Sequence, residues 1–581
     1  MIPGPVCGSK RIRMRRSDGL GLHTGEADKA YNQPVVIRAF SLGRDVALRA
    51  AACVVLAGFL GFSGAANALG QAPASGAAAE AAAQAESSRS RVLLVLPFDN
   101  RTGQPSLEWI REAAAEVLST RFASAGFEPT SRADRMYALD HLGLPQGFQP
   151  SRASALKLAQ TLDADSIVVG SYTTDGTGIV AEASLVDVPD LRMTPMVSAR
   201  GEMRSLIAVF GDLAWKLTRQ LDPSFSGSEA AFAAEGSGVP LTAFEQYIRG
   251  ITEPDQVERL RHLQEAVKLS PAFGEAWMAL GREQYNGQQY PEAAAAFAKV
   301  DRNGPDGLEA GFYRGLSLLF QGDYAGAQPA FAEVARVLPL AEVVNNEGVA
   351  MSRQGKDGTA LFIQAAADDA SAADYHFNLA VSLKRHGNTA AAENELAQCL
   401  KLRPNDSEAQ TLEAAWKGKA PETETGAEPL ERIERNFNAA GFKQAAAMLD
   451  AMNAGQLAAL PSRERAQALC TQAKAYLDRG LLLEAERLYQ DAAATDLKSA
   501  PAHAGLAEVR ERSGDLDAAR KEAQEALELG PTADAYVVLA KVDFAAGSLS
   551  QADAEAEDAI KLDPANRAAQ EILREIAARA R

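Results

Sequence analysis

A proline that returns at a fixed interval constrains the fold of this chain more than any other feature of its sequence. Pro271, Pro305 and Pro339 are evenly spaced, and further prolines stand at positions 404, 531 and 564. A period of about 34 residues, with two amphipathic helical stretches in each unit, indicates a solenoid of helix–turn–helix repeats. Such a solenoid presents an extended surface to partners rather than an enclosed reaction centre.

Charge and composition narrow the classes of partner. Aromatic residues make up only 6% of the chain, and its formal net charge is −17. Positions 1–68 hold nine Lys and Arg against four Asp and Glu, a balance of +5, so the remainder carries −22. A surface this acidic disfavours nucleic acid and anionic lipid, and we expect protein partners.

The amino-terminal region has the composition of a targeting segment. An apolar run, Ala50–Phe62, follows Arg44 and Arg49 and ends in the small residues Ser63–Ala68. A basic flank, an apolar run and a small-residue site are typical of a secretory signal. We therefore assign residues 1–68 to a signal peptide or a membrane anchor, and residues 69–90 to a linker. Localisation would be periplasmic or envelope-associated, with a possible membrane association through the apolar segment.

Residues 91–221 have the pattern of an α/β domain with a mixed sheet. Val92–Phe98 is a short apolar run that ends at Pro97 and a turn, which indicates a buried strand. Helical spacing over Leu107–Ala125 follows, and Ser166–Tyr172 is a second apolar strand. The alternating pattern of Ile179–Val188 predicts a strand with one exposed face.

Three phrases of this domain resemble the amino-terminal domain of TolB-like and FlgO-like proteins: Val95–Asn100, Ala164–Gly170 and Ala183–Asp187. The resemblance extends over the whole range 91–221. It implies a non-catalytic binding or assembly role in the bacterial envelope.

The array that follows resembles the tetratricopeptide repeat (TPR). One unit contains Trp277, Leu280 and Gly281, then Tyr290, Ala293, Phe297 and Pro305. The resemblance implies an all-α solenoid, which we divide into a linker at 222–240, a first block at 241–417, a linker at 418–428, and a second block with a capping helix at 429–581. Residues 433–452 are interpreted as a degenerate unit that opens the second block.

In this repeat family the first helix of each unit lines the peptide groove. Carrying positions over residue by residue gives a candidate groove formed by Asn345, Asn346, Arg353, Asn378, Lys384 and Arg385. Asn side chains can pair with the N–H and C=O groups of an extended peptide, and the cations can meet its carboxylates. The family's two-carboxylate clamp is not reproduced, because Val349 stands where an Asn is expected. We expect these Asn residues to be exposed and to tolerate Ala.

No sequence motif indicates catalysis. The chain has neither a phosphate-binding P-loop nor a dinucleotide fingerprint, a Gly-x-Ser-x-Gly elbow or a His-Glu-x-x-His zinc motif. We predict a protein that is not an enzyme, with no cofactor and no metal. The sequence leaves two functions open: an exported scaffold that binds protein segments, or a non-catalytic regulatory subunit of a signalling enzyme system.

Overall fold

A computed structural model describes residues 92–145, 151–176, 178–236, 238–418 and 429–579. The apolar run predicted as a signal or anchor and the linker at 69–90 lie outside these ranges, as does all but the first residue of the linker at 418–428. Among the described residues, no helix is both long enough and apolar enough to cross a bilayer.

The amino-terminal domain is built on one mixed sheet. Its strands are β1 (Val92–Val95), β2 (Asp99–Asn100), β3 (Glu128–Pro129), β4 (Ser166–Asp175), β5 (Gly178–Asp187) and β6 (Val197–Glu202). The order is β3-β1-β4-β5-β6, with β2 beside β4; β1 pairs in parallel with β3 and β4, whereas β4–β5–β6 is an antiparallel meander. The predicted α/β fold with a mixed sheet is confirmed.

Helices cover both faces of this sheet. They are α1 (Ile110–Ser124), α2 (Arg132–His141), α3 (Arg152–Thr161) and α4 (Leu206–Leu221). Helices α1 and α4 contribute Phe122 and Phe210 to one core, whereas α2 and α3 pack Leu139 and Leu158 against the other face. The alternation of side chains along β1 supplies both cores, since Leu93 faces the first and Leu94 the second.

A run of helices follows the sheet and forms the predicted solenoid. Its helices are α5 (Glu229–Ala234), α6 (Leu241–Thr252), α7 (Gln256–Leu269), α8 (Gly274–Asn286), α9 (Tyr290–Phe297), α10 (Gly307–Phe320), α11 (Tyr324–Val337), α12 (Ala341–Arg353), α13 (Thr359–Asp368), α14 (Ala373–Arg385), α15 (Thr389–Leu402), α16 (Ser407–Trp416), α17 (Ala439–Ala458), α18 (Ser462–Leu477), α19 (Leu482–Thr495), α20 (Ala500–Arg512), α21 (Leu516–Leu529), α22 (Ala533–Ala545), α23 (Leu549–Leu562) and α24 (Arg567–Arg579). Among the described residues, eight pairs of consecutive helices pack as hairpins, from α6–α7 to α22–α23.

Local sequence sets the helix boundaries within these hairpins. A glycine in the left-handed region stops the first helix, as at Gly322 (φ 85°) and Gly514 (φ 81°). The Asp that follows each glycine then caps the second helix: Asp323 accepts a hydrogen bond from the Gly326 amide at 2.9 Å, and Asp515 from the Ala518 amide at 3.1 Å. The short turn between the two helices forces them to pack antiparallel.

The range predicted as a linker at 222–240 is largely packed. It contains α5, whose Phe232 is fully buried, and the Arg121 guanidinium of α1 donates a hydrogen bond of 2.9 Å to the Phe232 carbonyl oxygen. A buried aromatic and buried backbone contacts give this stretch tertiary interactions that its Ser-, Gly- and Ala-rich composition does not reveal.

The second repeat block returns to the amino-terminal domain. Glu486 of α19 is buried and accepts hydrogen bonds from the Ser228 amide at 3.0 Å and from its hydroxyl at 3.2 Å. Side chains of α18–α20, including Leu477 and Tyr489, share one apolar core with the sheet and its helices. The chain therefore closes on itself through contacts between residues that are far apart in sequence.

A candidate peptide-binding groove

Four first helices of consecutive repeats, α10, α12, α14 and α16, hold an extended piece of this same chain. We call residues 430–437, Leu-Glu-Arg-Ile-Glu-Arg-Asn-Phe, the groove segment; they form neither helix nor strand. The sequence predicted that these residues belong to the second block, with residues 433–437 in its degenerate first repeat. In the structure they contact the first block instead, because the side chains of its groove supply polar partners for their backbone.

Two asparagines hydrogen-bond the backbone of the groove segment in the same manner. Asn378 donates to the Arg432 carbonyl oxygen at 2.7 Å and accepts from the Arg432 amide at 2.6 Å. Asn346 donates to the Glu434 carbonyl oxygen at 2.7 Å and accepts from the Glu434 amide at 2.9 Å. Residues two apart in an extended chain turn their backbone groups to the same side, so both asparagines meet one edge of the segment.

Asn345 joins these two contacts into a network. Its side-chain amide donates to the Arg432 carbonyl oxygen at 3.2 Å, and its oxygen accepts from Asn378 at 2.8 Å. Asn345, Asn346 and Asn378 are all completely buried. The expectation that these asparagines are exposed was therefore wrong, since the groove segment covers them.

A second polar site holds the side chain of Glu431. Arg385 donates to its carboxylate at 2.6 Å, Ser352 also donates to it, and Arg353 donates to the Glu431 carbonyl oxygen at 2.9 Å. Glu431 is only 3% exposed, so its charge depends on these donors for solvation. Arg353 and Arg385 thus lie where the sequence placed cations able to meet a carboxylate.

Arg432 occupies an acidic pocket with an aromatic floor. Its guanidinium donates to Asp374 at 2.7 Å, to both oxygens of Asp406 at 2.6 and 2.9 Å, and to Glu408 at 3.0 Å. Its central carbon lies 3.6 Å from the ring centroid of Phe377. Burial opposes the charge on Arg432, but hydrogen bonds to Asp406, Asp374 and Glu408 outweigh it and raise the pKa of the guanidinium.

The two aspartates of this pocket have a fixed position and a stabilised charge. Arg403 holds Asp374 with two hydrogen bonds of 2.8 and 3.0 Å, and Asp406 accepts from the Ala409 amide at 3.0 Å as the cap of α16. Burial raises the pKa of both carboxyl groups, but hydrogen bonds from Arg432, with Arg403 at Asp374, lower it below its ordinary value. The pocket is therefore anionic where it receives the arginine.

The carboxyl-terminal end of the groove segment meets aromatic rings. The ring of Phe437 lies 5.7 Å from that of Phe312 and 4.0 Å from that of Phe442, between centroids. The guanidinium of Arg435 stands 4.9 Å from the ring centroid of Phe320. Ile433 and Phe437 both pack against the apolar core of the first block, so the groove segment makes apolar contacts as well as polar ones.

One of the six predicted groove residues stands apart from the others. The ammonium of Lys384 lies 5.0 Å from the ring centroid of Trp416, a cation–π contact within the repeat block. The predicted groove residues did not include the side chains of the pocket that holds Arg432, namely Asp374, Phe377, Asp406 and Glu408. Asp406 follows Pro404 in the repeat, where a helix cap is expected, and that position concealed its second role.

Two further clusters of charged side chains lie outside the groove. Among the described residues, His503, Glu522 and Glu525 are the set spaced closely enough for a metal, but the His503 Nδ1 lies at hydrogen-bond distance, 2.9 Å, from Glu522. A cleft of about 310 Å³ lies between the amino-terminal domain and α6–α7. Two of its charged residues, Arg111 and Glu108, form an ion pair at 2.7 Å.

Comparison with protein families identifies the repeats. The tetratricopeptide repeat family matches residues 260–307, 373–406 and 470–534, which lie in both blocks. Together with the mixed sheet, these matches define a chain that combines an α/β domain with an array of tetratricopeptide repeats. The resemblance of the α/β domain to TolB-like and FlgO-like proteins has no such match and stays a prediction.

Solved structures similar to parts of the chain include three of different kinds. YrrB, described as a TPR protein with an unusual peptide-binding site, is 16% identical, covers 34% of this chain and 97% of its own, and has a TM-score of 0.27. MamA from Desulfovibrio magneticus RS-1 is 22% identical, and the match covers 31% of this chain and 100% of the MamA chain, with a TM-score of 0.26. The carboxyl-terminal domain of LpoB from Escherichia coli is 22% identical, and the match covers 20% of this chain and 84% of the LpoB chain, with a TM-score of 0.18. No curated protein matches the chain by sequence.

Proposed function

We propose that this protein is a non-catalytic adaptor of the bacterial cell envelope that binds extended protein segments in the groove of its first repeat block. The observation that carries the proposal is the pairing of Asn346 and Asn378 with both backbone groups of a bound residue. Such contacts recognise the extended backbone itself and are available to any segment that enters in the same register.

The side-chain sites add selectivity to this backbone recognition. Buried polar groups that lose their partners are costly, so a segment that leaves the arginine pocket or the Glu431 site empty must let water replace its contacts. The groove therefore discriminates by charge and shape at two adjacent positions. That combination suits a scaffold that holds particular protein segments.

A crosslinking experiment in cells tests the groove as the binding surface. A photoreactive amino acid is placed at Lys384, the neighbour of Arg385 in α14, where the change leaves the contacts of the groove segment intact. In a matched control it is placed at Glu393, which is exposed on the second helix α15 of the same repeat. The proposal expects a crosslinked partner protein from position 384 and much less from 393. Equal capture at both positions, or products within the chain alone, would contradict it.

Export is the second component of the proposal and has its own test. The support is the apolar run Ala50–Phe62 with its basic flank and small-residue site. Amino-terminal sequencing of the native protein should start near Leu69, and fractionation should recover it with the envelope or periplasm. Recovery from the cytosol with residues before Arg49 intact would favour the alternative, a regulatory subunit of a signalling enzyme system.

A further inference from the structure

The occupant of the groove is covalently attached to the groove itself. The last helix of the first block, α16, ends at Trp416, and the groove segment starts at Leu430. A tether of about a dozen residues gives the segment an effective concentration on the order of millimolar at its own site. Any segment from another protein must compete with it.

We propose that residues 430–437 are an intramolecular ligand that closes the groove, and that the partner displaces them with an extended segment of its own carrying a Glu-Arg pair. This inference rests on the proposed function and adds the chemistry of the partner. The pair places Arg in the pocket of Asp374 and Asp406, and Glu beside Arg385.

The geometry of the pocket selects arginine over lysine. Asp406 receives two hydrogen bonds from Arg432 while Asp374 and Glu408 receive one each, which needs donors spread over a planar fork. The ring of Phe377 lies at 3.6 Å, as a stacked guanidinium requires. An ammonium is a compact charge with neither the fork nor the flat face, so it cannot make all of these contacts at once.

The position before the arginine is also selected. The carboxylate of Glu431 accepts from Arg385 and Ser352 in a nearly closed site. A partner segment with an apolar residue here would leave the Arg385 charge without that carboxylate. The partner is therefore a protein with an accessible, extended Glu-Arg sequence.

The contacts of the groove segment are of a kind that can be exchanged. Glu431, Arg432 and Glu434 are held by hydrogen bonds and ion pairs, which an incoming segment of the same chemistry replaces one for one. Ile433 and Phe437 pack against the apolar core of the first block, and the incoming segment must replace these contacts as well. Arg435 and Asn436 are exposed. Displacement can therefore begin where the segment faces solvent.

The test uses a labelled peptide of residues 429–438, added to the full-length protein, with affinity measured by fluorescence anisotropy. Arg432→Ala in the protein weakens the tethered segment and should lower the apparent Kd of the added peptide by roughly 10-fold or more relative to wild type. The matched control, Asn436→Ala, changes an exposed residue of the same segment that is outside the acidic pocket. It should stay within about 3-fold of wild type.

Peptide variants test the selectivity on the Arg432→Ala protein. An R432K peptide should bind roughly 10-fold or more weakly than the parent peptide, and an N436A peptide within about 3-fold of it. Equal affinities of the parent, R432K and R432A peptides would overturn the assignment of the arginine pocket.

Hydrogen exchange on the wild-type protein tests displacement without any substitution. The Arg432 and Glu434 amides donate to Asn378 and Asn346, and they should be protected until saturating peptide is added. Protection that persists at saturation would overturn the inference, as would failure of the parent peptide to bind Arg432→Ala protein that melts cooperatively. Glu431→Ala serves as a second opening variant if Arg432→Ala does not fold.

These outcomes separate the inference from the proposed function. If a partner is crosslinked at position 384 in cells but the protein does not bind the peptides, the proposal of an intramolecular ligand is rejected and the proposed adaptor function is retained. If the peptide binds tightly in vitro but no partner is crosslinked in cells, the adaptor function is rejected and the intramolecular ligand is retained.

Discussion

Asn378 satisfies both backbone polar groups of Arg432, donating to its carbonyl oxygen at 2.7 Å and accepting from its amide at 2.6 Å. These two residues are separated by 54 positions and belong to different parts of the array. One side chain thus joins the groove to the segment that fills it. Asn378 is fully buried, so this contact is part of the folded structure.

Replacing Asn346 or Asn378 with Ala should destabilise the protein. Asn346→Ala leaves the N–H and the C=O of Glu434 without this partner, and Asn378→Ala leaves the N–H of Arg432 without it. Each change should cost roughly 1–3 kcal/mol in free energy of unfolding. Asn436→Ala is the control, since Asn436 is an exposed residue of the same segment, and its effect should stay within about 0.5 kcal/mol. Urea denaturation measures all three. Equal effects at the three positions would show that the groove segment adds nothing to stability.

Acid should weaken the arginine pocket. Burial raises the pKa of Asp374, but hydrogen bonds from Arg403 and Arg432 outweigh it and lower the pKa below its ordinary 3.8. The unfolded chain then binds more protons than the folded one in acid, so the stabilisation is present above pH 3.8 and is lost as the pH falls through the folded pKa. The difference in unfolding free energy between wild type and Asp374→Asn should therefore shrink below pH 3.8.

Asp558→Asn provides the matched control for this pH series. Asp558 pairs with Lys561 at 2.7 Å on an exposed face, where solvent screens the interaction. The difference between wild type and this variant should be small at every pH. A difference for Asp374→Asn that stays constant down to pH 3 would contradict the charge assignment of the pocket.

Close helix packing makes particular glycines of the repeats irreplaceable. A Cβ at Gly315 of α10 would lie 2.7 Å from ring carbons of the fully buried Phe331 in α11. Gly315→Ala should therefore lower the free energy of unfolding by roughly 1–3 kcal/mol, because the ring has no room to move. Thermal unfolding measures the change.

The control for this prediction is Gly274→Ala. Gly274 starts α8, and nothing lies within 4 Å of the place of its Cβ. Ala at this position should raise stability by up to about 1 kcal/mol, since it restricts the unfolded chain without a clash. A comparable loss at both positions would mean that helix packing is looser than the structure indicates.

Raising the pH should weaken the junction between α1 and the stretch that follows α5. Burial raises the pKa of Glu235 to about 7, and the nearby Arg121 only partly offsets this. The pKa of Glu235 is higher in the folded protein than the ordinary 4.5 of the unfolded chain. The resulting contribution to the free energy of unfolding is therefore fully present below pH 4.5 and is lost as the pH rises through about 7. Between pH 5 and 8 the wild type should lose about 2 kcal/mol relative to Glu235→Gln.

The ionisation of Glu235 depends on the groups that surround its carboxylate. Its carboxylate faces Arg121 at 3.5 Å and Ser124 at 3.4 Å, and the charge of Glu484 raises its pKa further. Glu333→Gln, at an exposed carboxylate 3.0 Å from Arg302, should show no such pH-dependent difference. If the free energies of unfolding of wild type and Glu235→Gln changed with pH in parallel, the raised pKa of Glu235 would be contradicted.

Much of the fold could be read from sequence because its signals are local. The apolar run Val92–Phe98 and the alternating Ile179–Val188 predicted strands of a mixed sheet, and the regular spacing of the prolines predicted the helical hairpins. Each signal concerns neighbours along the chain, where backbone geometry and burial periodicity decide the structure. The degenerate repeat at 433–452 failed in part, since residues 433–438 have no helical structure.

The sequence predicted the residues that line the candidate groove but not the segment that fills it. The repeat register placed Asn345, Asn346 and Asn378 together, and the structure joins them in one hydrogen-bonded network. Their burial depends on the groove segment, which lies up to 88 positions away in sequence. No local pattern connects an asparagine in a helix with a backbone amide at that distance.

The sequence by itself determined the helical repeats, the mixed sheet and the type of side chain that faces the groove, because periodic burial and turn residues act over a few positions. Only the tertiary structure decided that Arg432 fills the pocket of Asp374 and Asp406, and that Glu486 fastens the second block to Ser228. Those contacts depend on where the whole superhelix brings distant residues together. The small rotation at each repeat adds up over the array, and the sequence of one repeat does not contain that sum.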